Sequence, residues 1–345
     1  MNKPIAYAVG FYPWKKKILR TFRPDEGFVF VGSPQRLPQG KPLDIATWGA
    51  RFPDEEFPEG SRITRYEDGF IRSAGLGAKF TPALSWVADR RGIYYDATKP
   101  SDLEVILQEE NFSDELVARA RQLREKIVEA GLTKYNLKGA SWRKPDHSDR
   151  LILVAGQVES DDSIRLGSSG IKTNLGLLER VRRENPDDYI IYKPHPDVAA
   201  GVRRAGRSEA EAGHYCNSIV IDAPIHELIA AADEVHVNTS LVGFEALLRG
   251  KKVVTYGQPF YAGWGLTEDR NPPRRRKRKL SLDELVAGSL LRYPLYRSAQ
   301  TGQPCAAEQV VEEIARGTSG MRPDALELGL RLLSGTRFWH RFCSQ

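Results

Sequence analysis

Residues 234–270 read EVHVNTSLVGFEALLRGKKVVTYGQPFYAGWGLTEDR, and the fold turns on how this stretch divides. Glu234–Val237 is a short β-branched strand. Asn238, Thr239 and Ser240 are N-cap residue types, able to hold the exposed N–H groups of a new helix. Gly243 permits close approach of a ligand or another backbone. Phe244, Ala246, Leu247 and Leu248 form an apolar face, and Gly250 ends the helix. Lys252–Tyr256 is then the next parallel strand. A helix that starts at the carboxyl end of a parallel strand is an anion site, because unpaired N–H groups and the helix dipole both favour negative charge. Glu245, one turn inside, is placed to accept hydrogen bonds from a ribose diol. A ligand with phosphate and ribose, such as a nucleotide sugar, satisfies both features; an ordinary capped βαβ unit satisfies them equally well.

The alternation extends in both directions. Strands are expected at Ile5–Phe11, Phe28–Val31 and Asp44–Trp48, with a basic amphipathic helix at Lys15–Phe22. Two more are expected at Leu84–Ala88 and Gly92–Tyr95, around an Asp89-Arg90-Arg91-Gly92 turn. Ser101 and Ser113 open helices that reach Glu109 and Gly131. The polar stretch 134–150 marks a boundary. Beyond it lie strands at Leu151–Val154, Tyr189–Tyr192 and Ile219–Ile221, and helices at Asn174–Arg183 and Ile225–Ala232. Helices at Ser281–Leu290, Ala307–Arg316 and Ala325–Leu333 follow. This order predicts an α/β chain built on open parallel sheets. The 345 residues suit two domains, 1–145 and 146–300, with C-terminal helices at 301–345 packed across the cleft or facing a membrane.

No stretch approaches the roughly 18 apolar residues of a membrane span. Ile5–Tyr12 is too short and mixed for a secretion leader, and the lysine cluster follows rather than precedes it. Three widely spaced cysteines, Cys216, Cys305 and Cys343, point to a reducing compartment without a zinc site. The net charge of +6 suits an anionic partner. Arg274–Lys279 is an unbroken basic run without interleaved aromatics, which disfavours nucleic acid. It is either a solvated loop or a patch drawn to anionic lipid by about 1 kcal/mol per charge. The segment Arg337–Phe342 is also basic and aromatic.

Three loops at expected strand ends share one edge of the second sheet: Gln157–Ser163, Lys193–Asp197 and Asn238–Glu245. The first brings carboxylates. Asp161 is the candidate for attack on an anomeric carbon, since splitting one displacement into two preserves configuration. Glu159 and Asp162 are alternatives, and a metal-holding or helix-capping cluster is the plainer reading. Lys193 and His195 flank Pro194, and Pro196 follows. The prolines hold both cations in an extended loop, suited to a phosphate leaving group. In the first half, Arg65–Ser73 and the small residues 74–78 concentrate charge and glycine without periodicity, and read as a site or a tight loop. Glu67, Asp68 and Arg72 there face an acceptor hydroxyl or carboxylate, or form a salt-bridged loop.

The segments YEDGFIRSAGLGA (66–78), GQVESDDSI (156–164), YKPHPD (192–197) and NTSLVGFEALLRGKKVVTYGQPFYAGWGLTED (238–269) resemble the KpsC-like capsule polysaccharide β-Kdo glycosyltransferases. Members often carry two modules in tandem; this chain looks like one, nearest the carboxyl-terminal type. The resemblance implies a GT-B-like architecture, two Rossmann-type domains with a cleft between them. It implies CMP-β-Kdo as donor, retention through Asp161, and a Kdo-terminated phosphatidylglycerol-type glycolipid as acceptor in capsule linker synthesis. It places the protein on the cytoplasmic face of the inner membrane. The donor site would comprise Gln157, Lys193, His195, Pro196, Ser240 and Glu245. Glu67, or failing that Asp68, would deprotonate the acceptor hydroxyl, with Arg72 nearby. No metal or other cofactor is expected, because fixed cations and N–H donors serve the leaving group. Ser160 stands where an Asp-Asp pair is more usual, with Asp161-Asp162 following. Rival readings are a transferase for CMP-sialic acid or another nucleotide sugar, and a non-catalytic glycolipid-binding scaffold.

Overall fold

Two six-stranded sheets face each other across a seam. The first contains β1 (Ile5–Val9), β2 (Gly27–Val31), β3 (Asp44–Trp48), β4 (Arg62–Asp68) and β5 (Ser85–Asp89). The second contains β6 (Leu151–Ala155), β7 (Tyr189–Lys193), β8 (Ser218–Ile219), β9 (Glu234–Val237), β10 (Lys252–Thr255) and β11 (Glu268–Asp269). A last strand, β12 (Pro294–Tyr296), returns to the first sheet and pairs antiparallel with β5. This computed structural model describes residues 5–73, 82–137, 139–145, 150–199, 201 and 209–317. The small-residue run from 74 to 78, Cys343, the expected helix at 325–333 and the segment 337–342 lie outside the described residues.

The second sheet runs β8-β7-β6-β9-β10-β11, with every pair parallel. This is the doubly wound dinucleotide-fold order, and its direction reverses between β6 and β9. β6 is buried along its whole length, as a strand covered on both faces must be. The first sheet runs β12-β5-β4-β3-β1-β2. Its β2-β1-β3-β4 portion is parallel as expected, but β5 is antiparallel to β4. The whole is α/β and GT-B-like.

Three expectations need correction. The charged stretch from Arg65 to Asp68 is not a loop but the end of β4. A strand tolerates it because the charges are satisfied: the buried Arg65 guanidinium donates to the Gly49 and Phe52 carbonyls, each at 2.9 Å, and to Asp54. The expected strand at Gly92–Tyr95 is a turn. The Asp89 carboxylate captures the N–H groups of Arg91 (2.9 Å), Gly92 (2.8 Å) and Asp102 (2.9 Å), so that backbone cannot join a ladder. The boundary at residue 300 falls too late. The helix Leu282–Val286 and the π-helical turn Ala287–Arg292 already pack on the helix Asp114–Glu129, and β12 completes the first sheet. The helix Ala307–Ala315 lies on the same helix, through Arg119–Glu308 and Lys126–Glu312 pairs.

The aromatic loop after β10 is the seam between the halves. Phe70, just past β4, stacks on Phe260 at 4.4 Å and lies 6.0 Å from Phe244. The basic run fastens the same seam. The buried Arg276 donates to Glu104 (3.1 Å) and to the Pro259 and Ala262 carbonyls (2.5 and 2.7 Å), under the ring of Trp264. Arg275 also pairs with Glu104 at 2.8 Å, and Arg278 with Glu284 at 2.9 Å. Only Arg274, Arg275, Lys277 and Lys279 of the run are exposed, so it is neither simply a solvated loop nor a free basic patch.

The segment joining the halves is held from both sides. Glu245 Oε1 accepts the Lys134 N–H at 2.7 Å, and Arg249 donates to the Leu132 carbonyl at 2.7 Å. From the first half, the Ser73 N–H reaches the Lys134 carbonyl at 3.3 Å, and Asn136 donates to the Ser73 carbonyl at 2.9 Å.

Two stability outcomes follow. Arg276→Met strands buried acceptors and lowers the unfolding free energy by about 3 kcal/mol in urea titration, whereas Lys277→Ala changes it by less than about 0.5 kcal/mol. Burial pushes the Glu245 carboxyl up to about 7. A carboxyl harder to ionise folded than unfolded stabilises the fold at acid pH and loses that contribution as pH rises through about 7. Glu245→Gln keeps the acceptor oxygen without the charge. Its stability relative to wild type should therefore rise by about 1–3 kcal/mol between about pH 5 and about pH 8; a flat difference refutes the assignment.

Candidate active site

The reversal point of the second sheet opens into a cavity of about 560 Å³, within the ordinary range of small-molecule pockets. The backbone just past β6 is narrow because Gly156 has no side chain; a Cβ there would meet the Tyr192 hydroxyl at 2.5 Å. Gln157 then bridges the two strand ends. Its Oε1 accepts the Thr239 N–H at 2.9 Å, and its Nε2 donates to Thr239 Oγ1 at 3.0 Å. Gln157 therefore fixes the rim of the cavity as well as lining it.

The three carboxylates of the loop after β6 go to different places. Glu159 accepts the Asn174 N–H at 2.7 Å, at the start of the helix Asn174–Glu184. Asp162 pairs with Arg165 at 2.7 Å on the exposed side. Asp161 lines the cavity, held where its main chain opens the helix Asp162–Gly167. The capping reading thus holds for Glu159.

On the opposite wall, Ser240 caps the helix Leu241–Leu248, its Oγ accepting the Val242 N–H at 3.3 Å. Ser240, Leu241 and Val242 present this helix tip to the cavity. Gly243 faces protein, not ligand: it makes room for the Tyr261 hydroxyl, which donates to the Ser240 carbonyl. His195 and Pro196 line the cavity, and His195 Nδ1 accepts the Asp197 N–H at 3.2 Å. Lys193 also lines it, but its ammonium donates to the Ile221 and Ala223 carbonyls, the latter at 2.9 Å. Burial holds its pKa below the ordinary lysine range. Glu245 lines the cavity while binding the linker.

The wall residues that sequence reasoning missed include Tyr94 and Tyr95, assigned to a strand, and Lys134 and Tyr135, assigned to a linker. Paired tyrosines and a Lys-Tyr step in otherwise polar segments were the available signal. Tyr135 stands edge-on to His195 at 6.4 Å between ring centres.

Behind Tyr95 lies the charged end of β4. A Cβ on Gly49, whose φ is +57°, would meet the Tyr95 hydroxyl at 2.9 Å and Glu67 Oε2 at 3.1 Å, so these two groups converge on that glycine. Burial pushes the Glu67 carboxyl up to about 7, with Lys15 pulling the other way. Asp68 is also buried, but Arg72 at 2.6 Å and then Lys15 overcome that and hold it below the usual carboxylate range. Burial lowers Lys15 to about 8; its ammonium sits 2.9 Å from the centre of the Trp48 ring. The arrangement offers a carboxylate and a helix tip inside one cavity, while Glu67, Asp68 and Arg72 are not among its lining residues and lie behind Tyr95. Among the described residues, no group of three His, Cys, Asp or Glu side chains could hold a metal ion, and no helix is long and apolar enough to cross a membrane.

The capsule polysaccharide modification protein LipA of Neisseria meningitidis serogroup B is 44% identical over 321 residues, which is 90% of this chain and 45% of that protein. The lipopolysaccharide-processing protein LpsZ of Rhizobium meliloti is 36% identical over 94% of this chain and 78% of its own. The chain thus spans about half the length of LipA. Two solved structures from Thermosulfurimonas dismutans are similar: the KpsC β-Kdo 2,7 transferase (TM-score 0.75, 40% identity) and the KpsC β-Kdo 2,4 transferase (TM-score 0.76, 30% identity). Each match covers 91% of this chain, with 99% and 98% of the respective solved chains. The family model described as capsule polysaccharide biosynthesis protein spans residues 58–301, and the chain belongs to that family.

Proposed function

We propose that the chain is a retaining β-Kdo transferase that takes Kdo from CMP-β-Kdo and adds it to a Kdo-terminated glycolipid. The observation that carries this reading is the sorting of the loop after β6: Asp161 alone of its three carboxylates lines the cavity, opposite the helix tip at Ser240. The likeness to two Kdo transferases supports the substrate class, and the higher identity with the 2,7 enzyme favours the 2→7 linkage.

In the first step an Asp161 oxygen attacks C2 of Kdo. The bond from C2 to the phosphate oxygen breaks, and its electron pair leaves with CMP. The helix tip and His195 take up the growing phosphate charge, so no metal or other cofactor is required for departure. In the second step the acceptor hydroxyl attacks C2 from the vacated side, its proton passes to Glu67, and Asp161 is released. Glu245 and Gln157 shape the ribose end of the site. The lipid end of the acceptor holds the protein against the cytoplasmic face of the inner membrane, and a second transferase module supplies or extends the acceptor.

Asp161→Ala should lower kcat by about 10³-fold or more, and rapid-quench mass spectrometry of the wild type should find a Kdo adduct on the peptide containing residue 161. Normal turnover in the variant rejects the nucleophile. A Glu67 base with a pKa of about 7 gives kcat/KM that climbs with pH through that value. Glu67→Gln should flatten this limb; a surviving limb assigns the base elsewhere.

A further inference from the structure

A second recess, of about 800 Å³, lies on the first sheet and shares no lining residue with the cavity described above. Four arginines line it. Arg23 follows the helix Pro13–Phe22, Arg90 and Arg91 follow β5, and Arg292 closes the π-helical turn before β12. Strand register fixes its place. β5 runs antiparallel to β4, with Asp89 opposite Arg65 and Trp86 opposite Asp68. Arg90 and Arg91, just past Asp89, therefore sit toward the start of β4, away from the end that carries Glu67 and Asp68.

The charge of the recess is unbalanced. Asp102 is the one carboxylate in its lining, and both its oxygens are in use. One accepts the Arg90 N–H at 2.7 Å, and the other faces Arg91 Nε at 3.2 Å. Arg292 Nε pairs with Glu110 at 2.7 Å, and Arg23 donates to Glu26 and, at 2.7 Å, to the Tyr66 hydroxyl. Among the described residues, the Arg90 guanidinium has no acceptor. Arg91 and Arg292 engage their carboxylates through Nε, which leaves their terminal N–H groups to spare. Four guanidiniums around one recess repel one another, and an anion entering it relieves that repulsion.

The walls select the kind of anion. Phosphate offers three or four oxygens to several guanidinium forks at once, whereas a carboxylate has two. The rest of the lining is mostly apolar, through Phe22, Ala88, Val105, Ile106 and Leu295. All of these but Phe22 are only partly buried, so apolar surface is available to the body of a phosphate ester.

We propose that this arginine-lined recess is a phosphate site separate from the transfer cavity, filled by the phosphate of an anionic lipid headgroup or by a soluble phosphate. It stands independently of the Kdo-transfer reading.

The test uses the whole chain saturated with CMP, so that phosphate does not report on the helix tip at Ser240. Two probes distinguish the sources: inorganic phosphate in calorimetry at constant ionic strength, and sedimentation with phosphatidylglycerol vesicles. Vesicles of phosphatidylcholine, whose choline cancels the charge, are the blank. Arg90→Gln removes one charge and no internal side-chain contact. Arg183→Gln makes the same change on the second half, at an exposed position. Arg90→Gln should weaken binding by about 10-fold, and Arg183→Gln by less than about twofold. CMP affinity should be equal in wild type and Arg90→Gln. With that pattern, binding of phosphate alone assigns a soluble source, and binding of phosphatidylglycerol vesicles assigns the lipid. The proposal is overturned if neither probe binds, or if both variants lose equally, which reduces the effect to net charge. Arg90→Gln that binds like wild type puts the phosphate elsewhere and also overturns it. A fall in CMP affinity with Arg90→Gln merges the two sites and ends the claim of a separate one.

Discussion

The hydrogen bond from the Lys134 N–H to Glu245 is the contact on which the cleft depends. A chain that crosses between two halves exposes main-chain amides to the crevice, and a buried amide without an acceptor is expensive. Glu245 supplies that acceptor from the helix that also forms the cavity's anion-facing tip. One side chain therefore sets the distance between the linker wall and the helix tip. The carboxylate is held at the cost of easy ionisation, since burial opposes its charge.

The same logic of internal acceptors explains the basic excess. A net charge of +6 suggests a surface built to attract anions. Part of the basic run instead turns to internal partners. Arg276 and Arg275 converge on Glu104, and Arg276 adds two carbonyls of the aromatic loop. These planar forks hold a seam whose apolar centre is the Phe70–Phe260 stack. Among the described residues, Lys134, Lys193 and His195 line the cavity, and Lys15 is seated on the Trp48 ring.

The second half was more legible in the sequence than the first. Its strands are β-branched runs ending in Gly156, Pro194 and Asn238, so hydrophobic period and turn chemistry agree, and the three loops meet as their strand ends require. In the first half the signals conflict. β4 carries Arg65, Glu67 and Asp68, and no periodicity rule reveals that a guanidinium will find two carbonyls 16 and 13 residues earlier in the chain. Asp89 hides a turn inside an apparent strand by the same means. Tyr94, Tyr95, Lys134 and Tyr135 were illegible as site residues because the wall they form belongs to the contact between halves. Local pattern cannot encode where a linker will be pinned.

β12 has a consequence for how the molecule is made. The first sheet leaves the ribosome before the second, yet one of its edge strands is supplied by Pro294–Tyr296, after the whole second sheet has emerged. Until then β5 has a bare edge, able to accept a foreign strand. The nascent chain must therefore shelter its amino-terminal half while its carboxyl-terminal half assembles, and the half translated first is the half finished last.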